Sequence, residues 1–235
     1  METKIYESPK AVAHSFARYL AKLSDSKNPM RVALSGGSTP RLLFEILALK
    51  FREVIPWPNI HFYWGDERCV PPDKLESNFR VTNDLLFQAI DADWHIFRIR
   101  GEEDPEAEVL RYSEEIKSTV PIVNGWPRFD LIILGMGEDG HTASIFPYQL
   151  SLLKSDQICA IAKHPETGQK RITLTGNVIN NASAVAFLVT GASKAKRIVE
   201  IRNKNEISKL YPASFIEPND GELIWFMDRA AASLL

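Results

Sequence analysis

A continuous apolar run that breaks into glycines constrains this chain more than any other feature. Leu131-Ile132-Ile133-Leu134 reads as a buried strand, and it opens at once into Gly135-Met136-Gly137-Glu138-Asp139-Gly140-His141-Thr142. Three glycines within six residues let the backbone take positive φ and approach a ligand closely. Asp139 and His141 add a carboxylate and a group that titrates near neutrality. Chemistry is expected at this loop.

Gly135, Gly137 and Gly140 also satisfy G-x-G-x-x-G after a strand. A dinucleotide site would need a long helix next and an acidic residue ending the following strand. Only residues 142–146 separate His141 from Pro147, too few for a crossover helix, and no acid clearly ends a following strand. A nicotinamide or flavin cofactor is therefore not expected.

The 235 residues are 45% hydrophobic and 25% charged, and no linker, repeat or low-complexity tract interrupts them, so one α/β domain over 1–235 is expected. A formal net charge of -2 argues against a nucleic-acid footprint, which needs a clustered basic excess. Local cations must then serve small ligands. Cys69 and Cys159 lack metal-ligand spacing, so neither a zinc site nor a disulfide is expected, and a reducing cytoplasm is the simplest compartment. The N-terminal residues carry no apolar signal core, and no run reaches the ~20 apolar residues of a membrane helix.

Along the chain, the order strand, polar loop, helix recurs. Ser8-Pro9 starts a helix with Val12, Phe16, Leu20 and Leu23 on one face, ending near 24–28. The strand Met30–Leu34 runs into Ser35-Gly36-Gly37-Ser38-Thr39-Pro40 and a helix with Leu42, Leu43, Ile46 and Leu47 inside. That turn points backbone N–H groups and a helix dipole at one spot, which suits a phosphate; it lacks the Gly-Lys-Ser/Thr of a Walker loop. The alternative is a tight turn with Ser38 or Thr39 capping the helix.

The strand 60–64 leads to Asp66-Glu67-Arg68, all three expected to face the same crevice because open α/β sheets bind ligands at the carboxyl ends of their strands. Arg68 suits a two-pronged contact with phosphate or carboxylate, or else an internal pair with Asp66 or Glu67. Cys69 is read as a small half-buried side chain. Ser77 caps a helix over 78–89, a short strand covers 96–99, and a helix over 105–118 buries Val109, Tyr112 and Ile116 with its carboxylates in solvent.

Strands are expected at 157–162, 171–175, 184–189 and 223–227, and a short helix at 229–235. Lys194, in the first turn of a helix after Gly191, opposes the helix dipole unless an anion is present, which makes it a candidate phosphate ligand. The other histidines are read as structural: His61 and His95 satisfied beside apolar strands, His14 and His164 solvated.

Six segments in this order carry a resemblance. They are Ser35-Gly-Gly-Ser-Thr-Pro40, Asp66-Glu-Arg-Cys-Val-Pro71, Ser77-Asn-Phe79, the run from Leu134 to Pro147, Arg171-Ile-Thr173 and Thr190-Gly-Ala-Ser-Lys194. Together they resemble the 6-phosphogluconolactonase family along nearly the whole chain. Glu138 departs from the proline usual there, which bears on the stiffness of the loop.

The resemblance implies a doubly wound, mostly parallel, Rossmann-like α/β sheet with helices on both faces. It also implies metal-free hydrolysis of 6-phospho-D-glucono-1,5-lactone to 6-phosphogluconate in the oxidative pentose phosphate pathway. In this reading His141 is the general base and then general acid, and Asp139 orients it or the substrate hydroxyls. Arg68 and Lys194 hold phosphate or polarise the carbonyl, Gly36, Gly37, Ser38 and Thr39 contact phosphate or ring, and Arg171 adds a further contact. Two alternatives stand beside it. A glucosamine-6-phosphate deaminase/isomerase shares the Gly-Gly-Ser-Thr-Pro turn, yet expects a glutamate soon after the histidine and a tyrosine after Asp-Glu, where this chain has Arg68. A non-catalytic sugar-phosphate sensor would bind 6-phosphogluconate without turnover.

Overall fold

The computed structural model describes residues 2–26 and 29–235. Their strands are β1 (Glu2–Tyr6), β2 (Met30–Leu34), β3 (Ile60–Trp64), β4 (Asp66–Arg68), β5 (His95–Ile96), β6 (Ile122–Val123), β7 (Trp126–Pro127), β8 (Leu131–Leu134), β9 (Cys159–Lys163), β10 (Lys170–Leu174), β11 (Ala184–Val189) and β12 (Glu222–Asp228). The helices are α1 (Pro9–Ser26), α2 (Ser38–Lys50), α3 (Asn78–Thr82), α4 (Pro105–Thr119), α5 (Gly176–Asn180) and α6 (Ala195–Arg202). None is long and apolar enough to cross a membrane.

Seven strands form one sheet in the order β1-β12-β11-β8-β2-β3-β5, and every pairing in it is parallel. The strands at its centre are apolar along most of their length because both faces are covered: β8 and β11 are buried at every position. From β2 the chain moves one way to β3 and β5, while β8, β11 and β12 build the other way. The order therefore reverses between β2 and β8, and their loops diverge there to leave a crevice at the carboxyl edge.

A second, antiparallel sheet, β4-β10-β9, overhangs that edge. It begins where Gly65 leaves β3, with its N–H on Leu34 O at 2.8 Å and its carbonyl accepting Leu174 N at 2.8 Å. The register of β10 on β4 sets Arg171 opposite Arg68 and Thr173 opposite Asp66. Beneath, Tyr112 of α4 is fully buried, and its hydroxyl exchanges hydrogen bonds with Trp64 N at 3.0 Å and Trp64 O at 3.1 Å.

Most expected elements are present, with five corrections. Residues 2–6 form an edge strand on β12 that the polar N-terminal sequence does not announce. The expected terminal helix is a run of turns, since seven residues are too short to repay helix nucleation; Asp228 Oδ1 holds it by accepting Ala231 N at 2.8 Å. The strand expected over 96–99 is only His95–Ile96, because Arg98 turns out to Glu102. The Ser77-capped helix widens after Thr82 into a π-helical turn, Asn83–Phe87. Glu108 of α4 is buried, not solvated, paired to Arg111 at 2.6 Å and accepting Arg100 N at 2.7 Å.

Three histidines also differ from expectation. His14 is half-buried, edge-on to Phe51 at 5.4 Å. His164 Nδ1 accepts the N–H groups of Glu166 and Thr167, both at 3.3 Å, so it builds its turn. His61 Nδ1 is buried with no partner, which is the reverse of a satisfied histidine. The expected end of the first helix reaches in part to positions 27–28, outside the described residues; α1 itself runs to Ser26.

Candidate active site

A cleft of about 260 Å³ opens at the switch between β2 and β8. Its first wall is the turn after β2. Gly37, at φ 109°, takes the N-cap position of α2, and no side chain caps this helix. The capping alternative for Ser38 and Thr39 is thus not what the turn does, and the first N–H groups and the dipole of a 13-residue helix are left for an anion. Thr39 Oγ1 instead lies 2.9 Å from Thr190 Oγ1, tying the turn to the end of β11. A Cβ on Gly36 would overlap the carboxamide of Asn78, so glycine lets that carboxamide stand against the turn.

The second wall is the loop after β8. It closes on itself through Gly137 N to His141 O at 2.9 Å and Gly140 N to Gly137 O at 3.1 Å. Inside it Asp139 Oδ1 meets His141 Nδ1 at 2.6 Å and the His141 backbone N–H at 3.1 Å. A Cβ on Gly137 would overlap the His141 ring. Burial pushes the Asp139 carboxyl up, but its contacts with His141 prevail and hold it below the usual value. With Nδ1 engaged by a carboxylate, Nε2 is the nitrogen left for a ligand. Phe146 supports the ring at 4.9 Å between centroids.

The third wall is the overhanging sheet. Arg68 and Arg171 face each other in register, and neither forms an ion pair with a carboxylate among the described residues. Both Nε atoms are buried without a partner. Arg68 Nη1 donates to Glu76 O, and Arg171 Nη1 reaches Ser144 Oγ at 3.4 Å. Burial, and then the charge of Arg68, lowers the affinity of Arg171 for its proton. Two facing guanidiniums with no carboxylate between them have the charge and geometry to hold an anion.

Glu67 was expected in the crevice but points away from it. Its carboxylate accepts Arg68 N at 2.7 Å, Asn78 N at 2.8 Å, Phe79 N at 2.8 Å and Ser77 Oγ at 3.0 Å, stitching β4 to the start of α3. Asp66 does line the cleft, with its Oδ2 accepting Ser144 Oγ at 2.7 Å. Lys194, half-buried ahead of α6, completes the fourth side. Cys69 is half-buried as expected, and burial pushes its thiol up to about 11.

Gly36, Gly37, Ser38, Thr39, Arg68, His141, Arg171 and Lys194 all line this one cleft; Asp139 stands behind His141. The sequence reading left out Asn78, whose Nδ2 donates to Asp66 O at 2.9 Å and whose amide backs Gly36. It also left out Thr190. Both had a signal, Asn78 in the Ser77-Asn78-Phe79 motif and Thr190 at the head of Thr190-Gly191-Ala192-Ser193-Lys194, but neither was given a role. Among the described residues no group of three or more His, Cys, Asp or Glu side chains could hold a metal ion.

The family described as glucosamine-6-phosphate isomerases/6-phosphogluconolactonase matches residues 6–225. The chain belongs to this family. A 6-phosphogluconolactonase of Haemophilus influenzae is 45% identical over 226 residues, covering 95% of this chain and 94% of that protein. The solved 6-phosphogluconolactonase of Trypanosoma brucei superposes with a TM-score of 0.87 at 27% identity, covering 100% of this chain and 98% of that one. A monomeric glucosamine-6-phosphate deaminase superposes at 0.84 with 25% identity, each chain covered in full at 100%. Both activities are thus represented on this family's fold, and the side chains of the cleft have to separate them.

Proposed function

We propose that this chain is a lactone hydrolase that converts 6-phospho-D-glucono-1,5-lactone to 6-phosphogluconate, the ring-opening step of the oxidative pentose phosphate pathway. The observation that carries the reading is the carboxylate-oriented imidazole of His141 across one cleft from two guanidiniums without carboxylate partners.

Lactone opening makes two demands on a site. Water must lose a proton as it attacks the ring carbonyl, and the ring oxygen must gain one as it leaves. His141 Nε2 takes the first proton and returns it to the leaving alkoxide, so one residue serves both steps. Asp139, held as a carboxylate, fixes the ring and favours the imidazolium between them. Two anionic centres need partners in addition, the phosphate and the oxyanion that forms on the carbonyl. Arg68, Arg171 and Lys194 supply three cations, and the uncapped start of α2 supplies N–H groups at Gly37, Ser38 and Thr39. The chemistry needs no metal, because the base is a side chain.

The deaminase reading has less to stand on. Residues 142–147 contain no acid to serve as the second carboxylate, and Arg68 occupies the place after Asp66-Glu67. The deciding experiment follows acid release from freshly generated 6-phosphogluconolactone against its spontaneous background, for the wild type and for His141→Ala. Turnover well above background that falls by roughly 10²–10⁴-fold in the variant is expected. Turnover at background with 6-phosphogluconate still bound would replace the hydrolase by a sensor.

A further inference from the structure

The loop carrying Asp139 and His141 is gripped from outside the cleft. On α6, Arg197 donates from Nε to Glu138 O at 2.9 Å and from Nη1 to Glu200 Oε2 at 3.0 Å. The same carboxylate oxygen accepts the Tyr211 hydroxyl at 2.8 Å, and the Arg197 guanidinium lies 5.0 Å from the Tyr211 ring centroid. Tyr211 in turn fills the space where Gly140 would carry a Cβ, and Gly140 sits at φ 84°. Two residues further on, Ala213 N donates to Gly140 O at 3.0 Å.

These contacts fall on the carbonyls of Glu138 and Gly140, the two neighbours of Asp139. None of Arg197, Glu200 and Tyr211 lines the cleft. We infer that Arg197, Glu200 and Tyr211 form a clamp that sets where the Asp139–His141 pair stands, and that they are positioning residues for the reaction. The inference rests on His141 being the base.

Packing alone would not call for this set of side chains. An exposed pair three residues apart on a helix is worth a few tenths of a kcal/mol, and burying a charged pair costs more than an apolar contact of the same size. Glu200 and Tyr211 are buried nonetheless, and the side-chain hydrogen bonds of Arg197 and Tyr211 end on one Glu200 oxygen or on the loop. A cation that must reach a loop carbonyl needs a carboxylate to hold it in place, and the phenol then satisfies what that carboxylate has left. The grip is on the backbone carbonyl of Glu138, so it holds the loop whatever side chain that position carries.

The test compares wild type, Arg197→Lys and Arg197→Ala in lactone hydrolysis, with unfolding midpoints measured alongside. A base displaced by an ångström can cost about 10²-fold. Arg197→Ala should lower kcat by roughly 10- to 100-fold with KM changed less than about 2-fold, and Arg197→Lys should fall between. Independently of substrate, the imidazole NMR signals of His141 should move in Arg197→Ala, and the Gly137 and Gly140 amides should exchange faster. Unchanged kcat with unchanged His141 signals, or a kcat loss no larger than the fraction unfolded, overturns the clamp. A wild type that fails to hydrolyse the lactone would sink the proposed activity instead, while the NMR comparison would still judge the clamp.

Discussion

Asp139 Oδ1 lies 2.6 Å from His141 Nδ1 and 3.1 Å from the His141 backbone nitrogen, so one carboxylate oxygen holds both the ring and the chain of the residue it orients. Asp139→Asn is isosteric but can present an N–H to Nδ1, which would move the ring proton to Nε2 and remove the base. We expect kcat to fall by more than about 10-fold with KM nearly unchanged. Burial works against the Asp139 charge, but His141 prevails and keeps the carboxyl below its ordinary 3.8. A depressed carboxyl contributes its stabilisation above the unfolded value and loses it as pH falls through the folded one. The kcat profile should therefore show no limb from Asp139 itself above about pH 4, and an Asp139→Asn variant with wild-type kcat would contradict the assignment.

Gly137→Ala tests the loop with the smallest possible change. The added Cβ would overlap the His141 ring and crowd Asp139, side chains that are themselves only half-buried. Activity should drop toward that of His141→Ala, with an unfolding midpoint within a few degrees of wild type. Full activity would mean that His141 works from another rotamer.

Arg171 illustrates a site whose order runs against stability. Its charge is partly buried and faces Arg68 with no carboxylate paired to it, and burial followed by that like charge lowers its hold on the proton. Arg171→Gln should raise KM for the phosphorylated lactone by at least about 10-fold, one charged contact's worth. It should also raise the unfolding midpoint by about 2–4 °C, since relief of such repulsion is worth on the order of 1 kcal/mol in a chain of this size. A lower midpoint would show that the guanidinium is a structural bond.

Glu67 makes the converse case. Removing it by Glu67→Ala leaves three backbone N–H groups and the Ser77 hydroxyl without their acceptor inside the protein. We expect a loss of roughly 3 kcal/mol in urea unfolding, together with a raised KM, because the same carboxylate anchors Arg68 and Asn78 beside the cleft. An unaltered KM in the folded fraction would separate the anchor from the site.

Glu67 and Asp66 also mark how far the sequence can be read. They are adjacent carboxylates, yet strand alternation sends one into the cleft and the other beneath it, and that alternation is invisible until β4 is known to pair with β10. His141, Arg68 and Lys194 were legible because each follows a strand end, and strand ends in an open parallel sheet converge at the switch point. β2 and β11 were legible to the residue because apolar runs bounded by glycine turns leave little choice. The strand at 2–6 was not, since an edge strand needs only backbone pairing. The cluster of Arg197, Glu200 and Tyr211 was not either: its members look like a solvated helix face and a loop tyrosine until they are seen closing on one carboxylate.

The sheet edge opposite the N-terminal strand carries a pH response of its own. His61 on β3 lies 4.6 Å from His95 on β5 by ring centroids, with Arg31 beside it in the register of β2 and a buried Nδ1 that has no partner. Burial, then His95, then Arg31 lower its affinity for a proton below the ordinary 6.5. Because the unfolded chain binds that proton more readily, protonation favours unfolding. Stability should be flat with pH above about 6.5 and decline as pH falls from there toward the folded value, ahead of the acid loss that carboxylates cause near pH 4. His61→Phe keeps a ring between His95 and Phe97, which lies 5.5 Å from the His61 ring, and removes the titrating group. The fall in unfolding midpoint between pH 7.5 and 5.5 should then be smaller in the variant than in the wild type. Equal falls in the two proteins would assign the response to another group.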